Sequence, residues 1–343
     1  MGTPETVKEP FWKRPLVSFP GARWVGWALA LAIILPMAWE RYQERRPFNG
    51  FDLSNASVPQ EEIASGGPGR DGIPALTDPR IVSADKADFL VDEDRILGLV
   101  VGDNPRAYPL QILNWHEIVN DRLGGEYVVV SYCPLCGTGI AYRGEHDGQR
   151  LRLGVSGLLY RDNLLMYDRA THSLWSQITG EALSGPLQGK HLENLPLEHM
   201  TWGQWRKRYP RTDVLSIRTG HRRDYDQDPY AAYAAQAFAP GEHRDDRLPP
   251  KAWVIGVELG GKTRAYPFAT LMEMGPKGIV HDSLGGQPLE ISYHGEDRSA
   301  TVRDVDGNVL PMMLAYWFAW LGFHPETSLY QGAEGKVGKV GSE

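Results

Sequence analysis

The chain has 343 residues, with 36 Lys and Arg against 43 Asp and Glu, for a formal net charge of −7. No long basic run is present, which argues against nucleic acid as the main partner because phosphate contacts need clustered Lys and Arg. Two cysteines in so long a chain exclude a disulfide framework, while 38 Gly, 25 Pro, 15 Tyr and 11 Trp point to many strands and turns and little helix.

Residues 1–23 form a short polar tail carrying Lys8, Lys13, Arg14 and Arg23. Residues 24–39, WVGWALALAIILPMAW, are uncharged and apolar. Counted back across Arg23 to Pro20, the run reaches the roughly 17–25 residues a spanning helix needs. Trp24, Trp27 and Trp39 sit where an aromatic belt would, and Pro36-Met37-Ala38 makes a poor cleavage site. The reading is one uncleaved transmembrane anchor rather than a signal peptide. A short basic N-terminus favours N-inside. The expected location is therefore a bacterial inner membrane, crossed once through residues 24–39, with the C-terminal domain on the periplasmic side. Residues 40–79, which include SGGPGRDGIPALTDP, read as a linker whose Ile73 and Leu76 pack on the domain.

The globular part then repeats itself. RAYP at 106–109 recurs at 264–267, and IVNDRLGGEYVVVSY at 118–132 recurs as IVHDSLGGQPLEISY at 279–293. Trp202, Trp205, Pro210 and Thr212 are echoed by Trp317, Trp320, Pro325 and Thr327. Ordered matches of this kind imply an internal duplication, with a first repeat at 80–238 and a reduced second repeat at 239–343. QILNWHEIVND suits a short amphipathic helix, and TWGQWRKRY a helix N-capped by Thr201 and ended by Pro210. The expected fold is α+β, a strand-rich globular domain with an internal pseudo-duplication behind one N-terminal transmembrane helix. In the alignment Cys133 faces His294, and Cys136 has no counterpart.

The chemistry concentrates at VVVSYCPLCGTGIAY, residues 128–142, which holds both cysteines as C-x-x-C. A strand runs in, and Gly137 permits the positive φ of a thiol-bearing knuckle like half of a rubredoxin or zinc-ribbon turn. Three uses stand open: a disulfide, a metal-ligand pair, or a redox dithiol. A tetrahedral site needs two more ligands, which must be His, Asp, Glu or water, and the candidates are His116, His281, His294, His146 and His172. His116 is favoured because its helix precedes the cysteine strand. Two thiolates and an imidazole suit copper or zinc. A redox C-x-x-C usually opens a helix, whereas Gly137-Thr138-Gly139 leads into β-forming IAY.

GVSGLLYRDNLLMYDRATHSLWSQITGEALSGPL, residues 154–187, interleaves polar and apolar groups densely enough to suggest a lined pocket. Ser156, Trp175 and Gln177 are the candidate pocket residues, and Tyr160, Asp168 and Arg169 the candidate catalytic ones beside an open coordination position. Amphipathic strands with a local Asp168–Arg169 ion pair would explain most of the same residues. Ser156 lacks the last glycine of a nucleophile elbow. No P-loop, dinucleotide fingerprint, HExxH or EF-hand loop occurs.

DGIPAL, RAYPL, HEIVND, YCPLCGT, GVSGLLY, MYDRATHSLWSQ, GEALSGPL and TWGQW occur in the order of one bacterial and archaeal family, catalogued as domain of unknown function 3179. The resemblance covers roughly residues 65–235 with specific motifs, and the rest more loosely. It implies exported or membrane-anchored relatives and motif positions at Cys133, Cys136, His116, Tyr160, Asp168, Arg169, Trp175 and Gln177, without roles. The leading expectation is a membrane-anchored extracytoplasmic metalloprotein holding copper or zinc on Cys133, Cys136 and His116. The alternatives are a non-catalytic binding module with a Cys133–Cys136 disulfide, or a thiol–disulfide redox protein.

Overall fold

Paired left-handed glycines set the strand register in both repeats. Gly124 and Gly125 have φ of 58° and 88°, and Gly285 and Gly286 have 58° and 78°. Positive φ at both central residues is the backbone of the two-residue hairpin turn whose twist matches its strands. These turns close Ile118–Leu123 on Glu126–Cys133, and Lys277–Leu284 on Gln287–His294. The computed structural model describes residues 48–236 and 245–332.

Each hairpin belongs to a series of elements that occurs twice. In the first series, Arg95–Val101 pairs with Asn104–Pro109, the helix Leu110–His116 follows, and the hairpin comes next. Leu197–Thr201 then returns along Arg95–Val101, the helix Trp202–Arg208 crosses, and Asp213–Leu215 pairs in parallel with Asn104–Pro109. In the second series the same roles fall to Trp253–Leu259, Lys262–Pro267, Phe268–Glu273, Met313–Tyr316, Trp317–Phe323 and Ser328–Leu329. Thr201 caps its helix, accepting a hydrogen bond from Gln204 N–H at 3.4 Å.

The internal contacts recur as well. Trp205 lies so close over Gly98 that a β-carbon there would sit 2.3 Å from the indole, and Trp320 over Gly256 gives 2.2 Å. Each indole N–H donates to a threonine hydroxyl, Trp205 to Thr212 at 2.8 Å and Trp320 to Thr327 at 2.9 Å. Arg106 and Tyr108 both donate to Asp121, as Arg264 and Tyr266 do to Asp282. Between the hairpin and the returning strand, the first series carries an additional sheet built from Leu153–Tyr160, Asn163–Asp168, Leu174–Ser176 and Ala182–Ser184. His199 paired with Ala300 joins the two series into one eight-stranded sheet.

The α+β expectation with a preceding membrane helix is corrected here. The described residues are largely β, and their five α-helices are each five to seven residues long. Among them no helix is long and apolar enough to cross a membrane, and residues 24–39 lie outside the described ones. The helical reading of QILNWHEIVND fails halfway for a local reason. Helix Leu110–His116 stops at Glu117, whose φ of 56° and ψ of −33° no helix continues, and Ile118–Leu123 is a strand. From Phe48 onward the stretch read as a linker is built into the domain. Phe51, Leu53 and Ile63 are buried, Ile63–Ser65 pairs with Leu153–Tyr160, and Leu76–Thr77 runs parallel to Ile118–Leu123.

Candidate functional site

Strand Glu126–Cys133 ends and strand Thr138–Arg143 begins at the paired residues Cys133 and Thr138, leaving a four-residue loop. Gly137 turns it with φ of 68°, and Cys136 N–H donates back to Cys133 O at 3.1 Å. Both thiols are free, with Cys133 2% and Cys136 0% exposed. Cys136 Sγ–H donates to Asp162 O at 3.2 Å. Burial pushes the Cys136 thiol up, and Cys133 beside it pushes the same way.

The additional sheet supplies the floor of the loop through Gln177. The Gln177 amide donates to Thr138 O at 3.1 Å and Ser131 Oγ at 3.3 Å, and its oxygen accepts from Thr138 Oγ1 and Asn163 Nδ2, both at 2.8 Å. The second series supplies the roof. Tyr316 N–H donates to Cys136 O at 2.8 Å, and Trp253 packs so closely that a β-carbon at position 137 would lie 2.2 Å from it. The two rings pack together with centroids 4.4 Å apart.

His116 and Glu117 stand where the helix turns into the strand beside Glu126–Cys133. Tyr132 N–H donates to Glu117 O at 2.7 Å. The backbone of Glu117 is in a region that costs of order 1–3 kcal/mol and is held only by its surroundings. The side chain is 7% exposed and receives the Tyr230 hydroxyl at 3.2 Å. Burial pushes its carboxyl up to about 7, partly offset by that hydrogen bond. His116 is fully buried, with Nδ1 2.7 Å from Pro74 O and Nε2 2.8 Å from Tyr225 Oη. A carbonyl only accepts, so Nδ1 carries the proton, Nε2 is the lone-pair nitrogen of a neutral ring, and Tyr225 donates to it. Burial pushes this imidazole down to about 4.

One strap covers the row from His116 to the loop. In residues 224–236 the tyrosines are half-buried and the others exposed. Tyr225 reaches His116, Tyr230 reaches Glu117, and Tyr233 donates to Leu135 O at 3.1 Å inside the C-x-x-C loop. Trp115 Nε1 and Asn114 Nδ2 hold the strap from the helix side. The Lys251 ammonium sits 3.6 Å from the Tyr233 ring centre and donates to the Tyr233 carbonyl.

The second series contains the matching loop. His294 pairs with Ser299 as Cys133 pairs with Thr138, again across four residues, and Arg298, like Gly137, has a positive φ of 52°. Asp297 therefore occupies the place of Cys136, correcting the expectation that Cys136 has no counterpart. Where the first loop has two thiols, the second has an imidazole and a carboxylate. His294 Nδ1 lies 3.0 Å from Asp297 Oδ1, without hydrogen-bond alignment. Arg298 reaches back over the Trp253 ring at 5.0 Å, so both loops meet on one indole.

The other expected site residues are placed separately. Asp168 is fully buried and accepts from Ala170 N, Thr171 N, Thr171 Oγ1, Ser173 N and Trp175 Nε1, which makes it the organiser of its own turn. Arg169 binds Asp71 through two guanidinium nitrogens at 2.7 and 3.0 Å rather than Asp168. Tyr160 packs edge-on to Phe323, and Ser156 Oγ bridges Leu165 O and Leu158 N across a bulge. Of the six residues expected in the catalytic and pocket sets, Gln177 is the one that hydrogen-bonds the strand residues flanking the cysteine loop, Ser131 and Thr138. The described residues hold no group of three or more His, Cys, Asp or Glu arranged as a metal shell, and His116 has both ring nitrogens engaged elsewhere. Tyr225, Tyr230, Tyr233 and Trp253 escaped sequence reasoning, and Glu117, expected with Asp121 or a backbone group as a possible partner of the His116 ring, instead receives Tyr230 while the Pro74 carbonyl takes that role. The signal for the strap is three tyrosines spaced through DYDQDPYAAY.

No curated protein and no solved structure matches the chain. Residues 70–327 match a family described as "Protein of unknown function (DUF3179)" and include the loop, His116, Glu117, the strap and the second loop. The chain belongs to that family.

Proposed function

We propose that the protein is a soft-metal protein that holds one copper(I) ion between Cys133 Sγ and Cys136 Sγ beneath the tyrosine strap. The observation that carries this reading is the pair of free, buried thiols within one four-residue loop. Thiolates select soft ions, and copper(I) accepts two of them without further ligands. Zinc takes four, and the cysteines have no third acidic or imidazole partner among the described residues. The surroundings favour a dry site, since both cysteines belong to the apolar cluster that includes Ile140, Tyr316, Trp317 and Phe318.

Binding would convert two thiols and a copper(I) ion into a dithiolate complex of net charge −1, with release of two protons. Lys251 beside Tyr233 offers a compensating charge, and a protonated Glu117 would avoid a second negative charge. Thiol–disulfide exchange has less support. The loop runs into strand Thr138–Arg143, so no helix N-terminus stabilises a thiolate.

The test is titration of the reduced full-length chain with copper(I) against a coloured copper(I) chelator. One ion per chain should be withdrawn from the chelator, and either Cys133→Ser or Cys136→Ser should abolish the transfer. His116→Gln should leave it intact. No transfer to the wild-type chain, or transfer unaffected by the serine variants, contradicts the proposal.

A further inference from the structure

A second site lies beside His116 and Tyr225. Strand Ile81–Ser83 pairs antiparallel with Asp213–Leu215, and Ser216 N–H continues the ladder onto Arg80 O at 3.0 Å. That register brings Arg80, just before one strand, and Arg218, just after the other, to the same end of the sheet. Leu76–Thr77 runs past them, and the Asp78 N–H donates to Asn120 O at 2.9 Å. Between these segments lies a cleft of about 450 Å³ lined by Thr77, Asp78, Arg80, Arg218, Thr219 and His221, among others. Its size falls in the range of roughly 300–1,000 Å³ usual for small-molecule sites.

The charge in this cleft is unbalanced. Asp78 is taken by Arg150 from outside the cleft, through contacts of 2.6 and 3.1 Å. The guanidinium groups of Arg80 and Arg218 have no ion pair or side-chain hydrogen bond among the described residues. Two unpaired guanidiniums facing one space, with threonine hydroxyls beside them, are the donor set for an oxyanion carrying two negative charges.

The cleft also has a defined connection to the covered row. Tyr225 donates to His116 Nε2, so its oxygen must accept from Thr219 Oγ1–H, 2.6 Å away. The His221 ring packs 5.2 Å from the His116 ring. An anion at Thr219 and His221 would therefore lie next to the residues that anchor the strap.

We propose that this cleft binds the phosphate group of a small phosphate monoester, with Arg80 and Arg218 as its paired guanidinium ligands. This site is independent of copper binding at the cysteines. The same headgroup chemistry occurs in phosphatidic acid, and the experiment separates the two sources.

The test is calorimetry on the full-length chain at low salt with inorganic phosphate, glycerol 3-phosphate, and phosphatidic acid in phosphatidylcholine micelles. Arg80→Gln and Arg218→Gln, both at exposed positions, are compared with Lys277→Gln on the second repeat, and thermal unfolding confirms that all three fold. Saturable binding with one site per chain, weakened about tenfold or more by each arginine variant but not by Lys277→Gln, supports the site. Tighter binding of glycerol 3-phosphate than of the micelles identifies a soluble ester, and the reverse identifies a lipid headgroup. No saturable binding of any of the three, or binding indifferent to both arginine variants, overturns it.

Discussion

The Tyr230 hydroxyl, 3.2 Å from Glu117 Oε1, ties the strap to a buried carboxyl group whose backbone is itself strained. The carboxyl is pushed up from 4.5 to about 7 by burial, so its charge state differs between folded and unfolded chains. Below about pH 4.5 both states are protonated and no stability is lost. Between about 4.5 and 7 the unfolded chain ionises while the folded one resists, and stability falls as pH rises. Glu117→Gln should remove that loss, making the variant about 3 kcal/mol more stable than the wild type at pH 8 but little different at pH 4.5. Urea unfolding at the two pH values checks it. An equal difference at both would show that the carboxyl is not held neutral.

His199 sets the opposite limb. It is buried, its Nε2 lies 3.3 Å from the Gly139 carbonyl, and burial and the Arg95 charge push it down to about 3. The folded state refuses a proton that the unfolded state accepts below about pH 6.5, so stability is complete above that value and lost as pH falls. The loss at pH 5 is about 2 kcal/mol. Replacement by Gln should flatten the acid limb of the unfolding midpoint by about that amount, whatever its effect at pH 8.

Gly137 meets two separate demands, positive φ and the proximity of Trp253. Gly137→Ala should cost about 2–4 kcal/mol, most of it from the clash with the indole and about 1 kcal/mol from the backbone. In a Trp253→Ala background the same substitution should cost only the backbone part. A double-mutant cycle by urea unfolding reads the difference, and additive effects would remove Trp253 from the loop's roof.

The strap should control the rate at which metal leaves rather than the number of ions bound. Tyr233→Phe removes the hydroxyl that donates to Leu135 O, and Tyr230→Phe the one that donates to Glu117. The double variant should still take up one copper(I) ion and lose it to excess chelator several-fold faster by stopped-flow. An unchanged rate would mean that the strap does not close over the loop.

The loop and the strand pairs were legible because their determinants are local. Cysteine spacing, a glycine in the turn and paired glycines in each hairpin act within a few residues. The repeated RAYP and LGG motifs mark equivalent turns and the same Arg–Asp–Tyr contacts. Asp297 was not recognisable as the partner of Cys136, since HGEDRS and CPLCGT share loop length and conformation but no residue at an equivalent position. The strap was invisible for another reason, as Tyr230 and Glu117 are 113 residues apart and only the tertiary fold brings them together. Asp168 misled in the opposite direction. Its polar neighbourhood looks like a site, yet its carboxylate oxygens accept hydrogen bonds from its own turn and from nearby Trp175. The helical pattern at Ile118 and Val119 failed because two apolar neighbours at a strand buried on both faces resemble a helix face.

Copper and free-thiol content, measured together on the full-length protein isolated without chelator or affinity nickel, tests the central claim most directly. One copper per chain is expected, with neither cysteine reactive until a chelator removes the ion and both reactive afterwards. A chain that takes up no copper(I) when reduced, or a Cys133–Cys136 disulfide in every isolated molecule that remains metal-free after reduction, would contradict it.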